Sequence, residues 1–433
     1  MTTSTALLTD HYELTMLQAA LASGHADRRC VFEAFARRLQ GGRRYGVVAG
    51  TGRVLDALRG FRFTEAELGF LQKQGVVDGR TLDWLADYRF SGNIWGYAEG
   101  ELYFPGSPVL VVESTFAEGV LLETLVLSIL NHDSAVASAA SRMTAAAGDR
   151  PCIEMGSRRT HEWSAVAAAR AAYLAGFGST SNLEAGRTHD IPTAGTAAHS
   201  YTLLHTDERE AFANQLASLG LSTTLLVDTY DVSTAVELAV ELAGPELGGV
   251  RLDSGDLVSQ AHEVRARLDA LGAHDTQIVV TSDLDEYAIA ALAAAPVDRY
   301  GVGTRVVTGS GQPAAGMVYK LVSREGADGA MEGVAKVSAA KTSVGGRKFA
   351  LRRRSADGVA LAELVGIDDR PQDDGDDREL RVPLVRDGEV VAATDVHSAR
   401  EHHAMARAEL PRDGLRLSGG DPAIPTTYLH DRS

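Results

Sequence analysis

Between about Val109 and Val322, short apolar runs alternate with amphipathic or alanine-rich stretches, and each run ends on polar residues. Pro151-Cys152-Ile153 leads into Met155-Gly156-Ser157-Arg158-Arg159, and Asp190-Ile191-Pro192 into Gly195-Thr196-Ala197-Ala198-His199-Ser200. Asp228 closes Thr224 to Val227, Asp253 closes Gly249 to Leu252, Asp283 follows Gln277 to Thr281, and Gly301-Val302-Gly303-Thr304 ends the series. Strand-length runs followed by helix-length stretches predict repeated βα units. The fold class is therefore α/β, a parallel barrel whose functional groups collect at the strand ends. The first hundred residues read differently. Asp10 to Ala22 sets Leu14, Leu17 and Leu21 on one helical face, with Thr9 or Asp10 as cap. Val31 to Ala36 alternates as a strand, Val47 to Leu58 and Thr64 to Gln74 read as helices, and Gly92 to Tyr103 as paired strands. The pattern predicts an α+β domain over residues 1–108, a barrel over 109–325, and a separate C-terminal segment over 326–433.

Composition narrows the function. A net charge of −16 over 433 residues argues against nucleic-acid backbone and anionic membrane as partners. Cys30 and Cys152 lie in no metal-ligand or C-x-x-C spacing, which predicts reduced thiols in a cytoplasmic protein. The N-terminus has no basic region, and Val120 to Leu130 is too short to span a bilayer, which needs roughly 20 apolar residues. Neither a P-loop nor a strand-to-helix G-x-G-x-x-G is present. The run Ile367 to Glu379 carries six aspartates and reads as a solvated loop rather than a calcium site.

The strand-end residues suit phosphates, sugar hydroxyls and a metal. The Gly301 to Thr304 turn lets backbone amides approach an anion, where a G-x-G alone would be only a tight turn. Arg158 and Arg159 diverge from adjacent positions and can serve two anionic groups, where a surface charge pair is the plainer reading. Asp228, Asp253 and Asp283 converge as candidates for ribose or Mg²⁺, whereas Asp231 and Asp256 read as helix caps. His199, set among small residues, is the candidate reactive imidazole among 13 histidines.

Several strings in this order resemble the nicotinate phosphoribosyltransferase family. They are Thr9-Asp10-His11-Tyr12-Glu13-Leu14-Thr15-Met16, Gly156-Ser157-Arg158-Arg159, Gly178-Ser179-Thr180-Ser181-Asn182, Gly195 to Ser200, Val250 to Leu257 and Gly301 to Thr304. The resemblance implies the type II phosphoribosyltransferase architecture, an irregular α/β barrel plus an α+β domain built from both chain ends, with residues 326–433 packing on both. It implies a homodimer with shared active sites. The implied reaction joins nicotinate to phosphoribosyl pyrophosphate with ATP hydrolysis, giving nicotinate mononucleotide and pyrophosphate with Mg²⁺ present.

The same resemblance makes His199 the phosphorylated histidine, Arg158 a contact to ring or diphosphate, and Asp253 the ribose or metal carboxylate. Tyr12 resembles a ring-stacking aromatic from the partner subunit, and Gly301, Gly303 and Thr304 the 5′-phosphate cradle. Gly156, Arg159, Thr196, Ser200, Asp228, Arg251 and Asp283 complete the implied substrate contacts. The sequence departs from the family at Met155, where an aromatic is usual, and at Gly345-Gly346-Arg347-Lys348, where a Pro-Gly-Lys-Lys-like turn is usual.

Rival chemistries fit less well. A Schiff-base barrel wants a strand-end lysine, and Lys73 is the only lysine before Lys320. A quinolinate-using sibling would need more basic residues around the ring. A type I phosphoribosyltransferase would carry a paired-acid motif, of which Asp228-Thr229-Tyr230-Asp231 is a loose echo.

Overall fold

The computed structural model describes residues 4–336 and 343–429. It divides into one unit of residues 1–137 and 312–433 and a second of residues 138–311.

The first unit is built on an antiparallel seven-stranded sheet. Its order is Met331–Gly333, Met317–Glu325, Arg29–Ala36, Leu110–Thr115, Asn93–Tyr97, Arg381–Arg386, Glu389–Val390. The domain limits expected at 109 and 325 are thereby corrected, because Leu110–Thr115 and Met317–Glu325 flank Arg29–Ala36 on either side. No helix separates Asn93–Tyr97 from Leu110–Thr115, and without a crossover the chain can only return antiparallel. Gly92 to Tyr103 does hold two strands, but they pair elsewhere, Leu102–Tyr103 joining Gly46–Val47. The helix expected from Val47 starts at Thr51, after Gly50 turns the chain at φ 95°. The first helix is His11–Ser23; Asp10 occupies the cap position without a side-chain bond, and the Thr9 hydroxyl instead donates to buried Glu13. Thr64 caps Glu65–Gln74 through a reciprocal bond with Glu67.

The strongly basic stretch Arg347 to Arg354 supplies an inner strand of a four-stranded sheet. Along Lys348–Arg354 the side chains alternate faces, so Lys348 and Arg352 point the same way. Lys348 meets Glu33 at 3.0 Å and Arg352 meets Glu363 at 3.1 Å, all four side chains enclosed. Glu101 takes Arg378 at 2.6 Å and His402 at 2.8 Å, and these partners hold its carboxyl far below the usual range against the opposing cost of burial. The departing Gly345–Lys348 turn therefore spends its cations internally, with Arg347 on Glu113. The aspartate-rich loop is only partly solvated, since Arg353 clamps fully enclosed Asp377.

His403 packs in this unit with Nδ1 3.0 Å from the Gly100 carbonyl. Burial, the largest influence, lowers its pKa to about 4. The unfolded chain then binds more protons between about pH 4 and the ordinary histidine value near 6.5. Stability is expected to fall as pH drops through that window, by at most about 1.4 kcal/mol per pH unit from this group. Thermal melts at pH 7 and 5 check this, and His403→Gln should flatten the difference.

The second unit carries the βα repeats. Its parallel strands run in the order Ser179–Thr180, Cys152–Glu154, Arg299–Val302, Gln277–Val280, Gly249–Leu252, Thr224–Leu226. The last strand in sequence pairs with the first, Tyr300 against Cys152, which is the closure that makes a barrel from a βα series. Thr193 bridges Thr180 at one border, and among the described residues no hydrogen-bonded ladder joins that border to Thr224–Leu226. The barrel is irregular, as expected.

The apolar stretch at Val120 to Leu130 enters a longer helix than its composition suggested, Glu123–Ala147. Residues 116–147 are long and apolar enough to cross a membrane by length and composition, yet the most apolar window is mostly buried in the protein. Polar groups on this helix have protein partners, Asp133 with Arg53 and Arg142 with Glu286.

Candidate active site

The strand ends of the second unit enclose an open cavity of about 410 Å³. Each wall follows from a short strand whose apolar residues are buried and whose next residues must leave the sheet. Cys152–Glu154 delivers Met155 and the 3₁₀ turn Ser157–Arg159; Gly249–Leu252 delivers Arg251 and Asp253; Gln277–Val280 delivers Thr281, Ser282 and Asp283; Arg299–Val302 delivers Gly303 and Thr304. The loop from Ala194 to Ala198 closes another side.

Of the residues singled out from sequence, Arg158, Arg159, Thr196, Arg251, Asp253, Asp283, Gly301, Gly303 and Thr304 line this cavity. His199 and Asp228 stand immediately behind the wall. His199 Nε2 lies 3.8 Å from Asp253 Oδ2 and 4.0 Å from Asp228 Oδ1, and Nδ1 lies 3.2 Å from the Thr229 hydroxyl. Gly156 sits beneath the arginine turn, where a Cβ would come within 2.1 Å of Val307. Ser200 is exposed on the short helix His199–Leu204 and takes no part in the wall. Tyr12 is on the first unit's His11–Ser23 helix, 45% exposed, while every wall residue belongs to the second unit. Asp231 and Asp256 cap helices, accepting from Thr234 N and Ser259 N, as their position past the strand ends predicts.

The carboxylates are organised by their neighbours. Asp228 Oδ2 accepts from Asp253 N at 2.8 Å and the Ser254 hydroxyl at 3.0 Å, which joins two adjacent strand ends. Its buried Oδ1 has no hydrogen-bond partner among the described residues and faces His199. The Thr281 hydroxyl donates to Asp253 Oδ1, so Asp253 is held from both sides. Arg251 donates to Thr196 at 2.7 Å. Burial pulls its guanidinium pKa down, against the opposing pull of Asp253 and Asp228, and it remains a cation facing the cavity. Arg158 and Arg159 are exposed, and no ion pair engages them among the described residues. The Asp283–Thr304 hydroxyl contact is loose, at 3.5 Å.

Sequence reasoning gave no role to Thr281, Ser282 and Ser181 here, and marked Met155 only as a departure from the family. Thr281 carried a signal, a hydroxyl two places before a strand-end aspartate. Ser282 holds φ at 145°, a strained conformation for a residue with a side chain, of the kind stored at functional loops. Ser181 lines the wall from the Ser179–Thr180 strand end, and Met155 fills the place beside Gly301, where a Cβ would strike its sulfur at 2.8 Å. Among the described residues no aromatic ring lines the cavity.

Residues 7–131 match the model of the nicotinate phosphoribosyltransferase N-terminal domain. The chain is 58% identical over 432 residues to the Mycobacterium tuberculosis nicotinate phosphoribosyltransferase pncB1, covering 98% of this chain and 95% of that one. The chain belongs to the nicotinate phosphoribosyltransferase family. The human nicotinate phosphoribosyltransferase is 32% identical over 87% of this chain and 82% of its own. The crystal structure of human nicotinic acid phosphoribosyltransferase superposes with a TM-score of 0.82 at 26% identity, covering 96% and 97% of the two chains. The barrel cavity, with its three arginines and strand-end aspartates, is the candidate catalytic centre of this chain.

The donor set also bears on a metal. Among the described residues, the one group of three acidic or imidazole side chains with donor atoms within 4.8 Å of one another is Asp373, Asp374 and Asp377, in the aspartate-rich loop. Asp228, Asp253 and Asp283 do not converge into a comparable cage. That arrangement fits Mg²⁺, which takes one or two carboxylates and fills its shell with water and substrate phosphate.

Proposed function

We propose that this protein joins nicotinate to phosphoribosyl pyrophosphate, releasing nicotinate mononucleotide and pyrophosphate, with ATP hydrolysis through His199. The observation carrying the reading is the strand-end cavity, where Arg158, Arg159 and Arg251 face Asp253 and the Gly303–Thr304 turn. It occurs in a chain 58% identical, nearly end to end, to a nicotinate phosphoribosyltransferase. The ring nitrogen of nicotinate carries a free lone pair, so it attacks the anomeric carbon without a general base. The carbon–oxygen bond to pyrophosphate breaks as the new carbon–nitrogen bond forms. Positive charge develops on the ribose and negative charge on the leaving diphosphate. Asp253 faces the first, and Arg158 and Arg159 the second. Mg²⁺ held by Asp253 and the substrate's phosphates would further neutralise the leaving charge.

Tyr12 supplies the missing ring wall from a second copy of the chain. An exposed tyrosine and a cavity wall without any aromatic support that division of labour. The free, buried cysteines fit a cytoplasmic enzyme.

The test is product formation from phosphoribosyl pyrophosphate and Mg²⁺ with nicotinate, nicotinamide or quinolinate. Nicotinate mononucleotide from nicotinate alone is the expected result. Preferential turnover of another pyridine would overturn the ring assignment, and no product from any would overturn the reaction.

A further inference from the structure

Glu154 is a fully buried carboxylate that the reaction above does not use. It ends the Cys152–Glu154 strand, directly before the turn that carries Arg158 and Arg159. Among the described residues no cation stands beside it. Burial raises its pKa, and only the Thr180 hydroxyl and the Gly156 amide work in the other direction. A buried carboxylate without a cation is costly, so its two hydrogen bonds must matter to what it holds.

Those bonds form a closed circuit. Glu154 Oε1 accepts from Gly156 N and Oε2 accepts from Thr180 Oγ1, each at 2.5 Å. Thr180 Oγ1 in turn accepts from Asn182 N at 2.9 Å, and Asn182 Nδ2 donates to Ser157 Oγ at 3.0 Å. The circuit thus begins and ends on the Gly156–Ser157 turn and passes through the neighbouring strand end. Gly156 admits no Cβ, which would meet Val307, Glu154 Oε1 and the Gly303 carbonyl, so the same turn is keyed to the Gly303 loop. Arg158 and Arg159 have long, exposed side chains, and the backbone of this turn sets where they begin.

We propose that Glu154, through Thr180 and Asn182, is the positioning residue that fixes the Arg158–Arg159 turn for diphosphate binding. The proposal rests on the phosphoribosyl transfer reading above. Glu154 neither gives nor takes a proton in the reaction, since attack by a ring nitrogen calls for no base. An amide at this position cannot accept at both ends. With its oxygen toward Gly156, its NH₂ faces a Thr180 hydroxyl whose proton then has no acceptor. Thr180→Val removes the same link from the other side.

The test compares Glu154→Gln, Thr180→Val, Thr180→Ser and the double variant Glu154→Gln/Thr180→Val in the full-length enzyme. Readouts are KM for phosphoribosyl pyrophosphate, kcat, and calorimetric binding of magnesium pyrophosphate. Glu154→Gln and Thr180→Val are expected to raise KM and the pyrophosphate Kd about tenfold, equivalent to ~1.4 kcal/mol. Their kcat should stay within about threefold, because transition-state contacts remain once substrate is seated. Thr180→Ser keeps the hydroxyl and should bind as wild type does. The double variant should be no weaker than either single one, as expected for one circuit. Unchanged pyrophosphate affinity in folded Thr180→Val would overturn the proposal, as would a Thr180→Ser defect equal to that of Thr180→Val. Should Glu154→Gln not fold, the two Thr180 variants decide alone. If the wild type makes no nucleotide, the transfer reading fails instead, and pyrophosphate binding still judges the circuit.

Discussion

Asp253→Asn is expected to lower kcat/KM for phosphoribosyl pyrophosphate about 10³-fold, in the upper range for losing one preorganised electrostatic contact. The substitution keeps shape and removes charge. Asp253 is the carboxylate best prepared for such a role, with its amide bound by Asp228, its Oδ1 by Thr281, and Oδ2 turned toward His199. As C–O cleavage leaves positive charge on the ribose, a fixed carboxylate beside it stabilises the transition state more than the ground state. Asparagine can still accept from Thr281, so the loss should come from charge and not from a collapsed loop. Pyrophosphate release measured against a matched thermal melt checks this. A loss below about tenfold would assign Asp253 to scaffolding, since a transition-state contact of this kind is worth more.

His199→Ala is expected to abolish ATP stimulation while leaving ATP-independent turnover in place. The imidazole stands behind the wall, engaged by Thr229 at one nitrogen and facing Asp253 and Asp228 at the other. A group there can couple to the site without contacting the pyridine. Phosphorylation would add roughly two negative charges and three acceptor oxygens beside those carboxylates. Like-charge repulsion would then favour rearrangement of the Asp253 loop, the means by which ATP is proposed to act. Equal loss of both activities would instead make His199 part of the transfer step itself. Rates with and without ATP, at saturating nicotinate, separate the two.

Much of the site was legible because chemistry and secondary structure coincide. Polar residues within a few positions of a short apolar strand's end reach the barrel mouth, Asp253 directly after its strand, Thr304 and Arg158 two and four residues on. Asp231 and Asp256, three residues further on, are already in helix-capping position. What stayed hidden depends on partners distant in sequence. Leu110–Thr115 looks like the first barrel strand until Arg29–Ala36 is seen beside it. Lys348 and Arg352 stand in a strongly basic run, and nothing nearby in sequence names their partners Glu33 and Glu363. Glu154 reads as the tail of a strand, because its partner Thr180 lies on another strand. Ser200 shows the reverse failure, since it belongs to a matching string but faces solvent one residue past His199.

A crystal structure with nicotinate mononucleotide and magnesium pyrophosphate bound tests the central claim most directly. The account predicts the nucleotide phosphate at the Gly303–Thr304 turn, the ribose hydroxyls at Asp253, and pyrophosphate against Arg158 and Arg159. Nucleotide density outside the strand-end cavity, or pyrophosphate held without either arginine, would contradict it.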